Sequence, residues 1–395
     1  MKILVANIGS TSLKWRLFDF AAEQETLLHK GGLERVTDYA AAIEECLGQL
    51  KSANAITSES DIGAVGFKTV IARNVNGCVR LDDTVIEAME AANGLAPAHN
   101  PPYIAGIRMF ARRMPGTPLV GLFETAFCQF APEPARRYAV PQNWYDAGVQ
   151  RWGFHGASHK FIAERSAELL GRTDVAERAR QLYVNQASSP VDGPNLRVIS
   201  CHLGGSSSVT GILNGVGIGN SMGLTPQTGL PHNNRVGDLD AFAVGYMLRT
   251  TGASIDELEQ QLCRDAGLKG LSGGYNDVRD LAVQVGQGNP QAQLALDFLA
   301  HECRRWIGAY LVQLNGLDAL VFTAGIGENQ TTLRQAICQN LDQLGFQLDP
   351  AANENLRGQE GVISTPDSLV KIMVIPTNEE LVVAREVLRH LQNQK

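Results

Sequence analysis

The chain opens with a short apolar run at residues 2–6, which gives way to a polar corner, Asn7-Ile8-Gly9-Ser10-Thr11-Ser12. Residues 13–20 then resume alternation, with Leu13, Trp15, Leu17 and Phe18 set for burial and polar residues between. Period-two alternation on both sides of a Gly/Ser turn predicts a β-hairpin with its polar edge at the turn. The pattern recurs near mid-chain. Residues 196–203 run into Gly204-Gly205-Ser206-Ser207-Ser208, and residues 209–213 return from it. One hairpin design at the start of each half is a hint of internal duplication.

The remaining pattern predicts strands at residues 62–71, 119–123, 320–323 and 371–375. Helical spacing covers 36–50, 82–92, 103–113, 158–170, 255–266, 290–314, 332–344 and 379–392. Pro97, Pro101 and Pro102 predict an irregular stretch over 96–102, and the polar residues 174–195 predict an irregular excursion. Alternating strands and helices in both halves call for an α/β fold with two sheets. A chain of 395 residues fits two or three domains.

Composition narrows the partners. The chain carries 34 basic and 41 acidic residues, a formal charge of -7, with no dense basic run, so neither a nucleic-acid partner nor a membrane partner is expected. Its amino terminus, broken by Gly, Ser, Thr and Lys, reads as neither a signal peptide nor a membrane span. The 7 cysteines are scattered without metal-ligand spacing, which suits a reducing compartment and a cytoplasmic location.

Candidate chemistry gathers at the polar corners: residues 7–12, 204–208 and 325–329, each with glycine, and 377–380 without. Backbone N–H groups and hydroxyls at strand ends suit phosphate oxygens. No G-x-x-x-x-G-K-[ST] loop or G-x-G-x-x-G fingerprint is present. In Gly153-Phe154-His155-Gly156-Ala157-Ser158-His159-Lys160, two histidines lie four apart without the acid of a zinc motif. They read either as a cap and a buried packing residue, or as an imidazole, His155, donating to a phosphoryl group. Arg235 reads either as a surface ion pair or as a fork for a carboxylate or phosphoryl group.

At these residues the chain resembles the acetate kinase family, within the acetate and sugar kinase, heat-shock and actin superfamily. The matching segments include residues 7–14, His99-Asn100-Pro101-Pro102, Phe123-Glu124-Thr125-Ala126-Phe127, 153–160, Cys201-His202-Leu203-Gly204, 221–226, 235–240, 325–329 and 376–381. The resemblance implies an α/β fold of two domains with duplicated actin-like, ribonuclease H-like topology, mixed sheets flanked by helices. Its expected domains are residues 1–150 plus 380–395, and a nucleotide-binding domain over 151–379. It implies a homodimer and reversible transfer between ATP and acetate, giving ADP and acetyl phosphate, with Mg²⁺ (or Mn²⁺ in its place) in the cleft. The residues it assigns to catalysis are His155, Arg235, Glu124 and Lys68. Val70, Ala98, His99, Phe154 and Pro226 match acyl-site positions. Asn7, Ser10, Ser12, Lys14, His202, Gly204 and Gly205 fall on the phosphate side, and Arg279, Gly325, Gly327 and Asn329 near the nucleotide. Asn7 and Glu379 match metal-associated positions.

Departures from the family pattern cluster in the same places. Lys68 stands for an arginine that clamps the carboxylate, keeping the charge and losing the bidentate fork. Arg73 is a candidate replacement, although an odd offset along a strand turns it to the opposite face. Glu124 stands for an aspartate, Gly205 for an asparagine, Asn233 for a glycine, Ala98 for a larger apolar residue and Phe67 for a histidine. These leave open a longer acceptor (propionate, butyrate or a hydroxy acid), pyrophosphate as phosphoryl partner, a nucleotide-binding member without catalysis, and a kinase for a hydroxyl substrate.

Overall fold

In the computed structural model, which describes residues 1–21, 24–97 and 99–393, the amino-terminal alternation folds as an antiparallel meander: β1 (Lys2–Gly9), β2 (Ser12–Ala21) and β3 (Gln24–Glu34). Helix α1 (Tyr39–Ser52) follows, capped by the Asp38 carboxylate. Then come β4 (Ile62–Thr69), β5 (Cys78–Arg80), α2 (Asp83–Glu90), α3 (Asn100–Arg113) and β6 (Leu119–Phe123). The second half holds α4 (Gly156–Leu169), α5 (Thr173–Arg180), β7 (Arg197–Leu203), β8 (Ser207–Leu213), β9 (Val216–Asn220) and α6 (Ala241–Thr251). It closes with α7 (Pro290–Gln313), β10 (Ala319–Thr323), α8 (Ala324–Asn329), β11 (Gly361–Val362), β12 (Lys371–Val374) and α9 (Glu379–Asn393).

Two six-stranded sheets result, ordered β3-β2-β1-β4-β6-β5 and β11-β12-β10-β7-β8-β9. Their designs coincide. Each has a three-stranded antiparallel meander, two further strands parallel to its first strand, and an antiparallel edge strand. The duplication hinted at by the two hairpins therefore extends through both sheets. It also sets where chemistry can occur, because parallel strands end at a common edge. β1, β4 and β6 deliver Asn7, Lys68 and Glu124 to one edge, while β7 and β10 deliver the 204–208 turn and α8 to the other.

The sheets are held by α9, which crosses back to the first sheet and packs on β1, β4 and β6. The approach is close: a Cβ on Gly66 would lie 2.9 Å from Val387 and 3.0 Å from Val383. Helix α4 packs on β7 and α5, and it also meets α9. Across that seam Lys160 and Glu386 form an ion pair at 2.8 Å, each only 1% exposed.

Several expectations need correction. Helix α3 starts at Asn100 rather than 103, because Pro101 and Pro102 fall in its first turn, where a missing N–H costs nothing. The irregular excursion at 174–195 contains α5, whose Val175, Ala176 and Ala179 are buried in the core of the second half. The polar corner at 325–329 is helical. The helix expected over 332–344 stops at Cys338 and resumes as one tight turn, Asp342–Leu344. Strands β3, β5, β9 and β11 and helix α6 had no clear signature.

Candidate active site

A cavity of ≈ 250 Å³ lies where the two halves face each other. From the first half it is lined by Asn7 and Gly9 of β1, Lys68 of β4, Val70 beyond it, and Glu124 just after β6. His99, at the start of α3, and Tyr103 close one wall. From the second half come Phe154, His155, Ser206, Pro226 and Arg235. Most of the acyl-site and catalytic residues expected from the sequence thus share one space. Tyr103 was not foreseen; its hydroxyl donates to Asn7 Oδ1 at 2.7 Å and so fixes that carboxamide.

Charge is unevenly satisfied here. The Lys68 ammonium lies 2.8 Å from Glu379 and 3.2 Å from Glu124. Burial opposes its charge, but the two carboxylates outweigh burial and hold its pKa well above the usual lysine value. Burial also raises the Glu124 pKa, with Lys68 offsetting part of that rise and Glu379 adding to it. At Glu379 burial pushes the same way, yet Lys68 and His202 overcome it and the pKa is lowered. Glu379 begins α9, where the helix dipole also favours a negative charge. Arg235 is different: its guanidinium donates to the Pro226 carbonyl at 2.9 Å and has no acidic partner among the described residues. An unpaired arginine lining a cavity is a ready receptor for an anion.

His155 sits at the N-cap of α4 with φ 60°, a left-handed conformation that is strained for a side-chain-bearing residue. What holds it is close packing beneath. Gly156 N–H donates to the Glu124 carbonyl at 2.9 Å, and a Cβ on Gly156 would come within 2.4 Å of that oxygen. The His155 ring stacks on His202 at 4.0 Å, and His202 Nδ1 is hydrogen-bonded to Ser158 at 2.8 Å. His202, buried beside His155, lines neither this cavity nor the glycine-lined one next to it. Burial, followed by the neighbouring His202, His159 and Lys68, holds the His155 pKa well below the ordinary value, so its imidazole is neutral at pH 7.

A second cavity, ≈ 560 Å³, is lined by Gly204, Gly205, Asn233, Arg279, Gly325 and Asn329, among others. It adjoins the first through the Gly204–Ser206 turn, which contributes residues to both. Five residues expected near the nucleotide or its phosphates are brought together there. Asn233, which stands where the resemblance implies a glycine, joins them. A Cβ on Gly205 would lie 3.4 Å from Asn233 Nδ2, and the Asn233 N–H donates to the Gly205 carbonyl at 3.2 Å. The Asn233 carboxamide therefore stands directly in front of Gly205. Lys68, where the resemblance implies an arginine, likewise faces Glu124, where it implies an aspartate.

Other expected residues stand apart. Lys14 pairs with Glu34 at 3.0 Å and lines a separate cavity with Trp15, Arg16 and Lys30. Ser10 is exposed and Ser12 half-buried at the hairpin turn, and neither lines the two cavities. Gly327 is buried, its carbonyl accepting from Arg334 at 2.9 Å. Arg73 is exposed, its backbone N–H on the Ala88 carbonyl; β4 ends at Thr69, so no strand carries Arg73 towards the acid site. Ala98 lies outside the described residues.

A metal can be tested against these groups. Glu124 Oε2 and Glu379 Oε1 are buried without a hydrogen-bond partner, and Glu124 Oε1 faces the Lys68 ammonium at 3.2 Å. Asn7 adds a carboxamide oxygen at the same edge. No group of three His, Cys, Asp or Glu side chains among the described residues converges as a closed metal site. Two carboxylates with unsatisfied oxygens nevertheless fit Mg²⁺, which takes few protein oxygens and keeps waters and phosphate oxygens as its other ligands.

Comparison with known proteins agrees along the whole chain. A model of the acetokinase family matches residues 29–385. An acetate kinase from Carboxydothermus hydrogenoformans is 38% identical over 421 residues, covering 100% of both chains. An acetate kinase structure from Porphyromonas gingivalis superposes with a TM-score of 0.86 at 32% identity, covering 99% of each chain. A propionate kinase structure from Francisella tularensis gives a TM-score of 0.83, also at 32% identity, covering 98% of each chain.

Proposed function

Because the chain belongs to the acetokinase family, we propose that it transfers the terminal phosphoryl group of ATP to acetate, giving acetyl phosphate and ADP. The observation that carries this reading is Arg235, an acid-free guanidinium in a cavity that also holds His155 and Lys68 and adjoins the larger glycine-lined cavity. The acid binds in the smaller space against Val70, Phe154 and Pro226. The nucleotide lies in the larger one, near Gly204, Gly205, Arg279, Gly325 and Asn329.

In this arrangement Arg235 orients the acceptor carboxylate and compensates charge spreading over the transferring oxygens. Neutral His155 donates a hydrogen bond to the same group. Phosphoryl transfer depends on such positioning and charge compensation more than on covalent chemistry by the protein. Glu124, Glu379 and Asn7 are the residues that would hold Mg²⁺, which when bound neutralises phosphate charge. Lys68 balances the two carboxylates and presents a point charge, not a fork, to the acid.

The reading extends to a cytoplasmic homodimer of two domains divided as expected from the sequence. No helix among the described residues is long and apolar enough to cross a membrane. Helix α6 buries none of its residues, and Phe242 on it is 83% exposed. A second copy covering this face would remove it from water, and sedimentation at twice the 42.6 kDa chain mass is the expected result. A propionate acceptor is the second reading, favoured by the equal identity of the acetate kinase and propionate kinase structures. One methylene in a pocket alters preference by only ~1–3 kcal/mol.

Trapping acyl phosphate as hydroxamate across two- to four-carbon acids, with ATP or pyrophosphate, tests the proposal. Turnover with ATP and acetate is expected. Folded protein that turns over none of the acids with Mg²⁺ and either donor would overturn it.

A further inference from the structure

Behind His155 runs a buried chain of hydrogen bonds that the reaction does not itself use. Ser200 Oγ lies 2.9 Å from His159 Nδ1, His159 Nε2 lies 2.8 Å from Ser208 Oγ, and Ser208 Oγ lies 2.8 Å from His155 Nδ1. Ser200, His159 and Ser208 are each fully buried, at 0% exposure. His155, at the end of the chain, lines the cavity. Ser200 and Ser208 come from the paired strands β7 and β8, while His159 is in the first turns of α4.

The proton inventory restricts how this chain can be wired. A neutral imidazole has one N–H and one bare nitrogen, and a hydroxyl has one proton to donate. Ser208 touches two ring nitrogens, so it donates to one and accepts from the other. If Ser208 donated to His159 Nε2, His159 Nδ1–H would point at Ser200. The Ser200 proton would then have no acceptor, since Ser200 Oγ has no other partner among the described residues. His155 would also turn a bare nitrogen towards the phosphoryl group. The opposite sense uses every proton. Ser200 donates to His159 Nδ1, His159 Nε2–H donates to Ser208, and Ser208 donates to His155 Nδ1. Leaving a buried polar group unpaired is costly enough to select this sense.

We propose that Ser200, His159 and Ser208 are positioning residues that fix the tautomer of His155, leaving Nε2–H as the donor that faces the transferring phosphoryl group. The chain acts through His155 and touches neither substrate. Stacking on His202 holds the ring plane while Ser208 sets which nitrogen carries the proton. This inference rests on the phosphoryl-transfer reading for its catalytic consequence, but the tautomer itself is observable without turnover.

Two measurements on the full-length protein separate the claims. In ¹⁵N-histidine NMR, with the His155 signal assigned by its loss in His155→Asn, wild type is expected to show bare Nδ1 and protonated Nε2. Ser208→Ala is expected to mix the tautomers and lower kcat at least about tenfold, because one well-aimed donor is lost in part of the population. KM for both substrates is expected to stay within about twofold, the pattern for an interaction made in the transition state. Ser208→Thr, which keeps the hydroxyl, is expected to recover kcat, and Ser200→Ala to shift the tautomers in the same direction as Ser208→Ala. A bare Nε2 in wild type would overturn the inference. So would a Ser208→Ala protein with unchanged kcat, or one whose kcat falls while the tautomer stays fixed. A wild type with the expected tautomer and no turnover would instead count against the phosphoryl-transfer reading.

Discussion

At the scale of single residues, departures from the family pattern are best understood as exchanges between positions that touch. Asn233 occupies the space in front of Gly205, so Asn233→Gly is expected to weaken nucleotide binding by about 1 kcal/mol, the usual net value of one hydrogen bond. The double variant Gly205→Asn with Asn233→Gly is expected to recover it. Calorimetric titration with ADP checks both, and equal affinity in all three proteins would remove Asn233 from the nucleotide site. The sequence marked both positions as unusual, but 28 residues apart in a chain they carry no sign of contact. Lys68 and Glu124 were opaque for the same reason. By contrast, His155 and Arg235 stood out in the sequence because each lies in a dense glycine-bearing motif.

At the scale of elements, the approach of α4 to the end of β6 is a tight constraint on the site. Gly156→Ala places a methyl group against the Glu124 carbonyl at a separation real Cβ atoms do not adopt. Overpacking of this kind costs roughly 1–3 kcal/mol. Moving His155 or Glu124 by about 1 Å is expected to lower kcat up to a hundredfold. Thermal unfolding and steady-state kinetics on the same preparation check both effects, and wild-type kcat in Gly156→Ala would show that this contact does not set the site. Long amphipathic helices such as α7 and α9 were legible from spacing alone. α5 was not, because its buried face is Val175, Ala176 and Ala179 among charged neighbours. β3 was missed because its residues, Gln, Glu, His and Lys among them, mask the alternation.

At the scale of the molecule, the site is assembled from two sheets of matching design, and its buried histidines make that assembly sensitive to acid. Burial lowers the His202 pKa to about 4 and, with Arg235 adding to it, the His232 pKa to about 3. His155 and His159 are lowered in the same way. Below an unfolded value near 6.5 the unfolded chain binds protons that the folded chain refuses. Stability is therefore present above that value and lost as pH falls, by up to about 1.4 kcal/mol per pH unit for each histidine. Denaturant melts between pH 7 and pH 4 should show this slope, and His232→Asn should reduce it; a flat profile would contradict the buried neutral cluster. The two-sheet plan was legible from the repeated hairpins, whereas the meeting of the halves was legible only through resemblance.

The most direct test of the central claim is the rate of acetyl phosphate formation from ATP and acetate by wild type and Arg235→Ala, with folding of both verified by circular dichroism. Removing a donor aimed at developing charge costs about 10²–10³ in kcat. Wild-type turnover with a loss of that size in the variant is the expected result. Acetyl phosphate formed equally fast by Arg235→Ala, or by neither folded protein, would contradict it.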